Sequence, residues 1–323
     1  MCNEVIVMNI VWIGCHEEGI LAFKQTLKNS KNISAFITLN EGAFSKRSAG
    51  SREYEEYCNK YNVKYYTVST IKGEEAYEII LKHKPDLLVV LGWSEILPAR
   101  LLEIPTIGTV GTHAALLPHN RGSAPINWAI INGEKVTGNT MMWLDPQVDA
   151  GAIVDQIEFA ITPYDTCKTL YDQVAISNET MLMRLIENLE KGIKRPVLSI
   201  ANETDEPILP RRKPKDGLLN WNQSGEAIYD FIRALTDPYP GAFTFLNGKK
   251  YFIWKAALFP MPALVSAGEI AGSTYGFADN SCGFVVGTET NAVLITEIED
   301  ETGKRYSGKD LNDLNLRGKF KNE

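Results

Sequence analysis

The sequence predicts two domains: an α/β domain on a parallel sheet covered by helices, then a small β-rich barrel. Three observations carry this. Residues 1–200 alternate continuous apolar runs with segments of helical periodicity, the pattern of strands buried on both faces and joined by crossover helices. Near residue 205 the texture changes: ETDEPILPRRKPKDG is charged and proline-bearing, which suits a connection between domains. Beyond it, short strand-like runs alternate with turn signals. A chain of 323 residues is long enough for two cores. The boundary falls at 204/205, giving domains 1–204 and 205–323.

Each element can be justified in order. VIVMNIVWIG (5–14) is a β-rich run ending at glycine, and in GILAFKQTLKN the residues Ile20, Phe23 and Leu27 recur at helical spacing. ISAFITL (33–39), VKYYTVS (63–69), PDLLVVLGW (85–93) and TIGTVGTH (106–113) supply four more strands. A long helix is expected at about 165–191, with Asp165 as N-cap and Leu170, Val174, Met181, Leu185 and Leu189 on one side. In the second half a helix at roughly 224–236 precedes GAFTFLNGKKYFIWKAA, where Asn247-Gly248 marks a hairpin turn. CGFVVGT and AVLITEIE continue as strands, as a barrel requires.

Composition excludes several classes. A net charge of −7 argues against a large nucleic-acid footprint, which needs a basic face. The five cysteines are scattered and never form a CxxC pair, so they read as reduced thiols of a cytoplasmic protein, with no zinc site. No apolar run is long enough to span a bilayer, and Glu4 stands where a signal peptide carries a basic residue. The turn GCHEEG after the first strand lacks the third glycine of a dinucleotide fingerprint, and no phosphate-cradling GxxxxGK[ST] loop exists.

The informative stretch is 111–128, GTHAALLPHNRGSAPINW, which holds two of the four histidines. His113 closes a central strand at its carboxyl end, where open parallel sheets place ligand crevices. Asp149 follows in VDAG. A carboxylate beside an imidazole favours the protonated ring, so such a pair can pass protons near neutral pH. On spacing alone a packed histidine and an ordinary Asp-Ala-Gly turn remain open.

The block resembles the formyltransferases that use 10-formyltetrahydrofolate, whose pattern is close to N-x-H-x-S-L-L-P-x-x-R-G-x-x-P, then T-G-x-T, then D-x-G-x-I. Here stand His113, Leu116-Leu117-Pro118, Arg121-Gly122, Pro125, Thr137-Gly138, Thr140 and Asp149-Ala150-Gly151. PRRKPKDGLLNW and IRALTDPYPGAFTFLNGKKYFIW resemble the linker and C-terminal domain of the larger members. The resemblance covers roughly 300 residues. It implies a Rossmann-like catalytic domain followed by an OB-like barrel. It also implies that His113 moves protons while an amine attacks the formyl carbon and N10 of the folate leaves, with Asp149 raising the pKa of the ring. The folate pocket maps to Glu95, Ile96 and Leu97 on one side and to Asp145, Pro146, Gln147, Val148 and Asp149 on the other. Ser123 lies where some relatives carry an arginine near the folate, and Arg121, Pro118 and Trp93 are assigned to the acceptor.

One departure stands out. The family's asparagine two residues before the histidine stabilises the oxyanion, and here that position is Gly111. Three explanations are open: a donor from Thr112, Asn139, Asn120 or a water; room for a bulkier acceptor; or a non-catalytic folate-binding relative. For the acceptor, residues 201–323 carry 14 Lys and Arg against 17 Asp and Glu. A tRNA-gripping barrel should be basic, so the expectation is a nucleotide-linked amino sugar, with polysaccharide biosynthesis as the setting and tRNA not a partner. Methionyl-tRNA formylation is the alternative. No metal or membrane partner is expected, and a homodimer is compatible with the sequence.

Overall fold

The computed structural model describes residues 8–45, 50–146, 151–193, 195–200, 207–262, 264–275 and 282–322. The chain divides into two compact units, one of Met1–Pro125, Val136–Ala160 and Tyr171–Pro210, the other of Ile126–Lys135, Ile161–Leu170 and Arg211–Glu323.

The elements up to the linker follow in order. They are β1 (Asn9–Ile13), α1 (Ile20–Lys28), β2 (Asn32–Leu39), α2 (Glu41–Phe44), α3 (Glu53–Tyr61), β3 (Lys64–Val68), α4 (Glu74–His83), β4 (Leu87–Val90), α5 (Ala99–Leu102) and β5 (Gly108–His113). After α6 (Pro125–Ile131) come β6 (Val136–Trp143), β7 (Ala152–Ala160), α7 (Cys167–Glu190) and β8 (Ser199–Ile200). The strands form one sheet in the order β3-β2-β1-β4-β5-β6-β7-β8. The first five run parallel, whereas β6, β7 and β8 each pair antiparallel with the strand before them. The strand order reverses between β1 and β4, which makes that edge the switch point where such sheets open a crevice.

Both faces of the sheet are covered, which is why its central strands read as unbroken apolar runs. On one face Trp12, Phe36, Val89, Val110 and Met141 pack with Leu185 of α7 and Phe23 of α1. On the other, Val11, Ile37 and Val90 pack with Ile80 of α4 and with Leu97 and Leu101. Helix α7 begins at Cys167, two residues after the expected cap. The Asp165 carboxylate is taken up instead by Thr162, whose amide and hydroxyl both donate to it, and by the hydroxyl of Thr169.

In the second unit, Ser224 caps α8 (Gly225–Leu235) by accepting from the Ala227 amide at 3.2 Å. Strands β9 (Ala242–Leu246), β10 (Lys249–Pro262), β11 (Ile270–Thr274), β12 (Gly283–Gly287), β13 (Asn291–Glu299) and β14 (Arg305–Ser307) then precede α9 (Gly308–Asp313). The antiparallel order is β11-β12-β13-β10-β9, with β14 on β13. Asn247 and Gly248 both have positive φ, 52° and 77°, the backbone that a two-residue hairpin needs. The two edges of this sheet are joined. Residues 318–321 bond to Phe245 of β9 in both directions, and also to Gly268 and to Ile270 of β11, so the sheet closes into the expected barrel.

Cys15, Cys58, Cys167 and Cys282 are all buried and unbridged. Among the described residues, no helix is long and apolar enough to cross a membrane.

Candidate active site

Alternation along β5 puts Val110 on the α7 face of the sheet and Thr109, Gly111 and His113 on the other. His113 is the last residue of the strand and pairs across to Thr140 of β6. His113 is buried, 8% exposed. The Nε2 atom lies 2.8 Å from the carbonyl oxygen of Asn120. A carbonyl only accepts, so Nε2 carries the hydrogen and donates it.

The loop that supplies this carbonyl is pinned at several points. The Thr140 hydroxyl donates to the Ala115 carbonyl at 2.6 Å and accepts from the Leu117 amide at 3.1 Å. Gln156 Nε2 donates both to that hydroxyl and to the Leu117 carbonyl, each at 2.8 Å. Farther on, Asn120 and Ala124 take left-handed φ of 55° and 56°. Gly122, at φ 113°, has no room for a side chain: a Cβ there would sit 2.5 Å from the Leu209 carbonyl oxygen. That contact is part of a two-way clasp, in which the Leu209 amide donates to the Arg121 carbonyl (2.7 Å) and the Ser123 amide to the Leu209 carbonyl (3.1 Å). Arg121, Ser123 and Pro118 are all half-buried along this loop.

The loop after β4 makes the second wall. Trp93 is half-buried against the apolar cluster that holds Leu97 and Leu101. Its indole Nε1 is buried and has no hydrogen-bond partner among the described residues. The Glu95 carboxylate accepts from the Thr70 hydroxyl (3.0 Å) and the Ile71 amide (2.9 Å), so it ties this loop to the one after β3. Leu97 is in the core, while Ile96, 57% exposed, presents an apolar side chain to solvent.

The third expected wall begins at Asp145 and Pro146, both exposed. Gln147, Val148 and Asp149 lie outside the described residues, and the expected pairing of Asp149 with His113 lies there too.

The space beside Gly111 is occupied. A Cβ at this position would come within 2.9 Å of Leu144 Cδ2. The expected room for an acceptor is filled, on that side, by the chain's own isobutyl group. Asn139 points to the opposite face, where its Nδ2 donates to Ser177 Oγ (2.9 Å) and Asn178 Oδ1 (2.6 Å) of α7.

Across the switch point, the turn after β1 carries Glu18, which sequence reasoning passed over. Burial pushes its carboxyl up to about 7. The Asn178 amide donates to its backbone carbonyl at 2.9 Å. Gln156, Leu144 and Leu209 were also missed, because each acts through a contact distant in sequence. Thr140 lay inside the quoted pattern, and its role emerges only from the bonds it makes. Among the described residues, no group of three or more His, Cys, Asp or Glu is placed to hold a metal ion.

Two family models match the chain: formyl transferase over residues 9–186, and formyl transferase, C-terminal domain, over residues 211–314. The methionyl-tRNA formyltransferase of Geobacillus sp. (strain WCH70) is 31% identical over 302 residues, 93% of this chain and 92% of that protein. Further methionyl-tRNA formyltransferases match as well. Among solved structures, HypX from Aquifex aeolicus in complex with tetrahydrofolic acid superposes with a TM-score of 0.66 at 17% identity, covering 93% of this chain and 46% of HypX. WlaRD, a sugar 3N-formyl transferase, superposes with a TM-score of 0.62 at 17% identity, covering 90% and 97%. At these identities the two structures speak for the fold.

These relatives overturn one expectation. The acidic balance of residues 201–323 argued against tRNA as a partner, yet proteins matching almost end to end are named for a tRNA substrate. The physical reason is that net charge averages over every face of a domain, whereas binding depends on one. Arg211, Lys213 and Lys215 are all exposed within five residues of the linker.

Proposed function

The chain belongs to the formyl transferase family, and from that premise we propose that it moves the formyl group of 10-formyltetrahydrofolate to a primary amine, with methionyl-tRNA as the acceptor. The single observation that carries the chemistry is the imidazole of His113, held through Nε2 by the Asn120 carbonyl at the carboxyl end of β5. The acceptor rests on the match to methionyl-tRNA formyltransferases over both parts of the chain.

The folate would lie along the loop after β4. The Trp93 indole N–H, expected from the sequence on the acceptor side, is buried without a partner among the described residues and suits the folate instead, a ligand rich in ring nitrogens and carbonyl oxygens, and Ile96 offers a ring an apolar surface. Glu95, Leu97, Asp145, Pro146, Gln147, Val148 and Ser123 complete this cradle, with Arg121 and Pro118 on the acceptor side. The donor supplies an acyl carbon bound to a nitrogen leaving group. His113 takes the proton that the attacking amine sheds, and Asp149 supports the resulting imidazolium. The clasped loop keeps that ring in one orientation, so little rotamer freedom is lost when the reactants meet. We place the division between catalytic and C-terminal domains at 204/205, which lies outside the described residues.

A second acceptor, a nucleotide-linked amino sugar, is favoured by the linker PRRKPKDGLLNW, which resembles that of the enzyme formylating UDP-aminoarabinose. One assay separates the two. The protein is mixed with 10-formyltetrahydrofolate and either charged initiator methionyl-tRNA or UDP- and dTDP-linked amino sugars, and tetrahydrofolate release and product mass are followed. Formyl-methionyl-tRNA is expected. Formylation of the sugar alone would replace the acceptor, and no amine-dependent release with either would overturn formyl transfer itself.

A further inference from the structure

Leu144 occupies an unusual place. It follows the last residue of β6, and its amide donates to the Thr109 carbonyl at 2.8 Å, which extends the β5–β6 pairing by one step. Its half-buried side chain packs against two separate apolar clusters. One holds Leu117 of the His113 loop together with Met142 and Ile153. The other holds Leu97 and Leu101, with Trp93 packed on it. The floor between them is Gly111, two residues before His113 on the same face of the strand.

We propose that Leu144 is a positioning residue for formyl transfer: seated on Gly111, it is the wedge that sets the spacing between the loop after β4 and the loop after β5. Gly111 is glycine because any Cβ would lift that wedge, coming 2.9, 3.1 and 3.2 Å from the three outer carbons of Leu144. Leu144 is packed against both of these clusters, so it couples the Trp93 wall to the His113 wall. The kinetic part of this inference rests on the reading of the previous subsection; the packing part does not.

The two parts can be tested separately. Gly111 has an ordinary backbone conformation, so an added methyl should stabilise through the unfolded chain wherever it fits. Gly111→Ala should therefore lower Tm in the wild-type background and raise it in the Leu144→Ala background, where the space has been vacated. The same sign in both backgrounds overturns the seat. For positioning, Leu144→Ala should lower kcat by about tenfold or more, as small misplacements of reacting groups do. Leu144→Met, of similar volume, should restore most of it. Ile80→Ala, a truncation in α4 at the far side of the same cluster, should cost comparable Tm and leave kcat near wild type. Equal kcat losses for Leu144→Ala and Ile80→Ala would reduce Leu144 to general packing and overturn its positioning role. A wild type that transfers no formyl group would overturn the functional reading and the positioning role together, while the Tm signs would still decide the seat.

Discussion

The loop after β5 and the loop after β4 follow adjacent parallel strands at the same end of the sheet, yet they are held by different chemistry. The first is fastened by polar bonds: Thr140 and Gln156 at its start, the Leu209 clasp at its end, and the Asn120 carbonyl on His113 between them. The second is tied by the Glu95 carboxylate to Thr70 and Ile71 and by the Gly92 carbonyl to the amides of Cys15 and His16, and it rests besides on apolar anchors, Leu97 and Trp93. Hydrogen bonds are directional and fix an orientation, which a proton-transferring ring needs. Apolar contacts fix a distance but tolerate sliding, which suits a wall meant to receive a flat ligand. On the proposed function, the directional bonds stand where a proton would move and the apolar contacts where a ring would enter.

Replacing His113 should produce the largest break. His113→Ala should lower the transfer rate by about 10²–10⁴-fold while Tm stays within a few degrees, since the ring sits at a strand end. Rate and thermal melting measured together check this, and a variant with full activity would remove His113 from the mechanism. Next comes the fastening itself. Thr140→Val keeps the shape but strands the Ala115 carbonyl and the Leu117 amide, so a loss of about 2–4 kcal/mol is expected by urea unfolding, with a fall in kcat beside it.

The turn after β1 sharpens the comparison through pH. The Glu18 carboxyl is raised from 4.5 to about 7 by burial, so the folded chain holds its proton where the unfolded chain has lost it. Wild-type stability should thus fall as pH rises from 4.5 to 7 and level off above. Glu18→Gln should remove that slope and be more stable than wild type at pH 8, by about 1–3 kcal/mol. Equal pH dependence in the two proteins would show that the carboxyl is solvated. The smallest effect belongs to the compliant wall: Glu95→Gln should cost about 0.5–1.5 kcal/mol and raise KM for the folate more than it lowers kcat. A pure kcat effect would erase the distinction between the walls.

Much of the fold was legible because burial on both faces leaves an unbroken apolar signature, as in Leu87–Val90 or Ile10–Ile13. β6 and β7 carried no such mark. Thr137, Asn139 and Thr140 are buried polar residues, placed in β6 to bond α7 and the His113 loop, and they break the pattern a strand is read from. In β7, Asp155, Gln156 and Glu158 leave the strand half-exposed. Asp165 looked like a cap because its type suits one, but a turn from Thr162 claimed it first. At the site, His113 could be found from its position at a strand end within a dense motif. The occupant of the space beside Gly111 could not, because Gly111 pairs with Met142 and Leu144 reaches it diagonally.

The stave that closes the barrel has a consequence during synthesis. Residues 318–321 seal the edges of β9 and β11, yet β9 begins at Ala242. While a ribosome adds the intervening stretch, both edges leave the exit tunnel with their backbone N–H and C=O groups unmatched, the condition under which strands capture neighbouring nascent chains. Translation speed across that stretch, and chaperone supply while it lasts, should therefore govern the yield of well-formed protein in expressing cells.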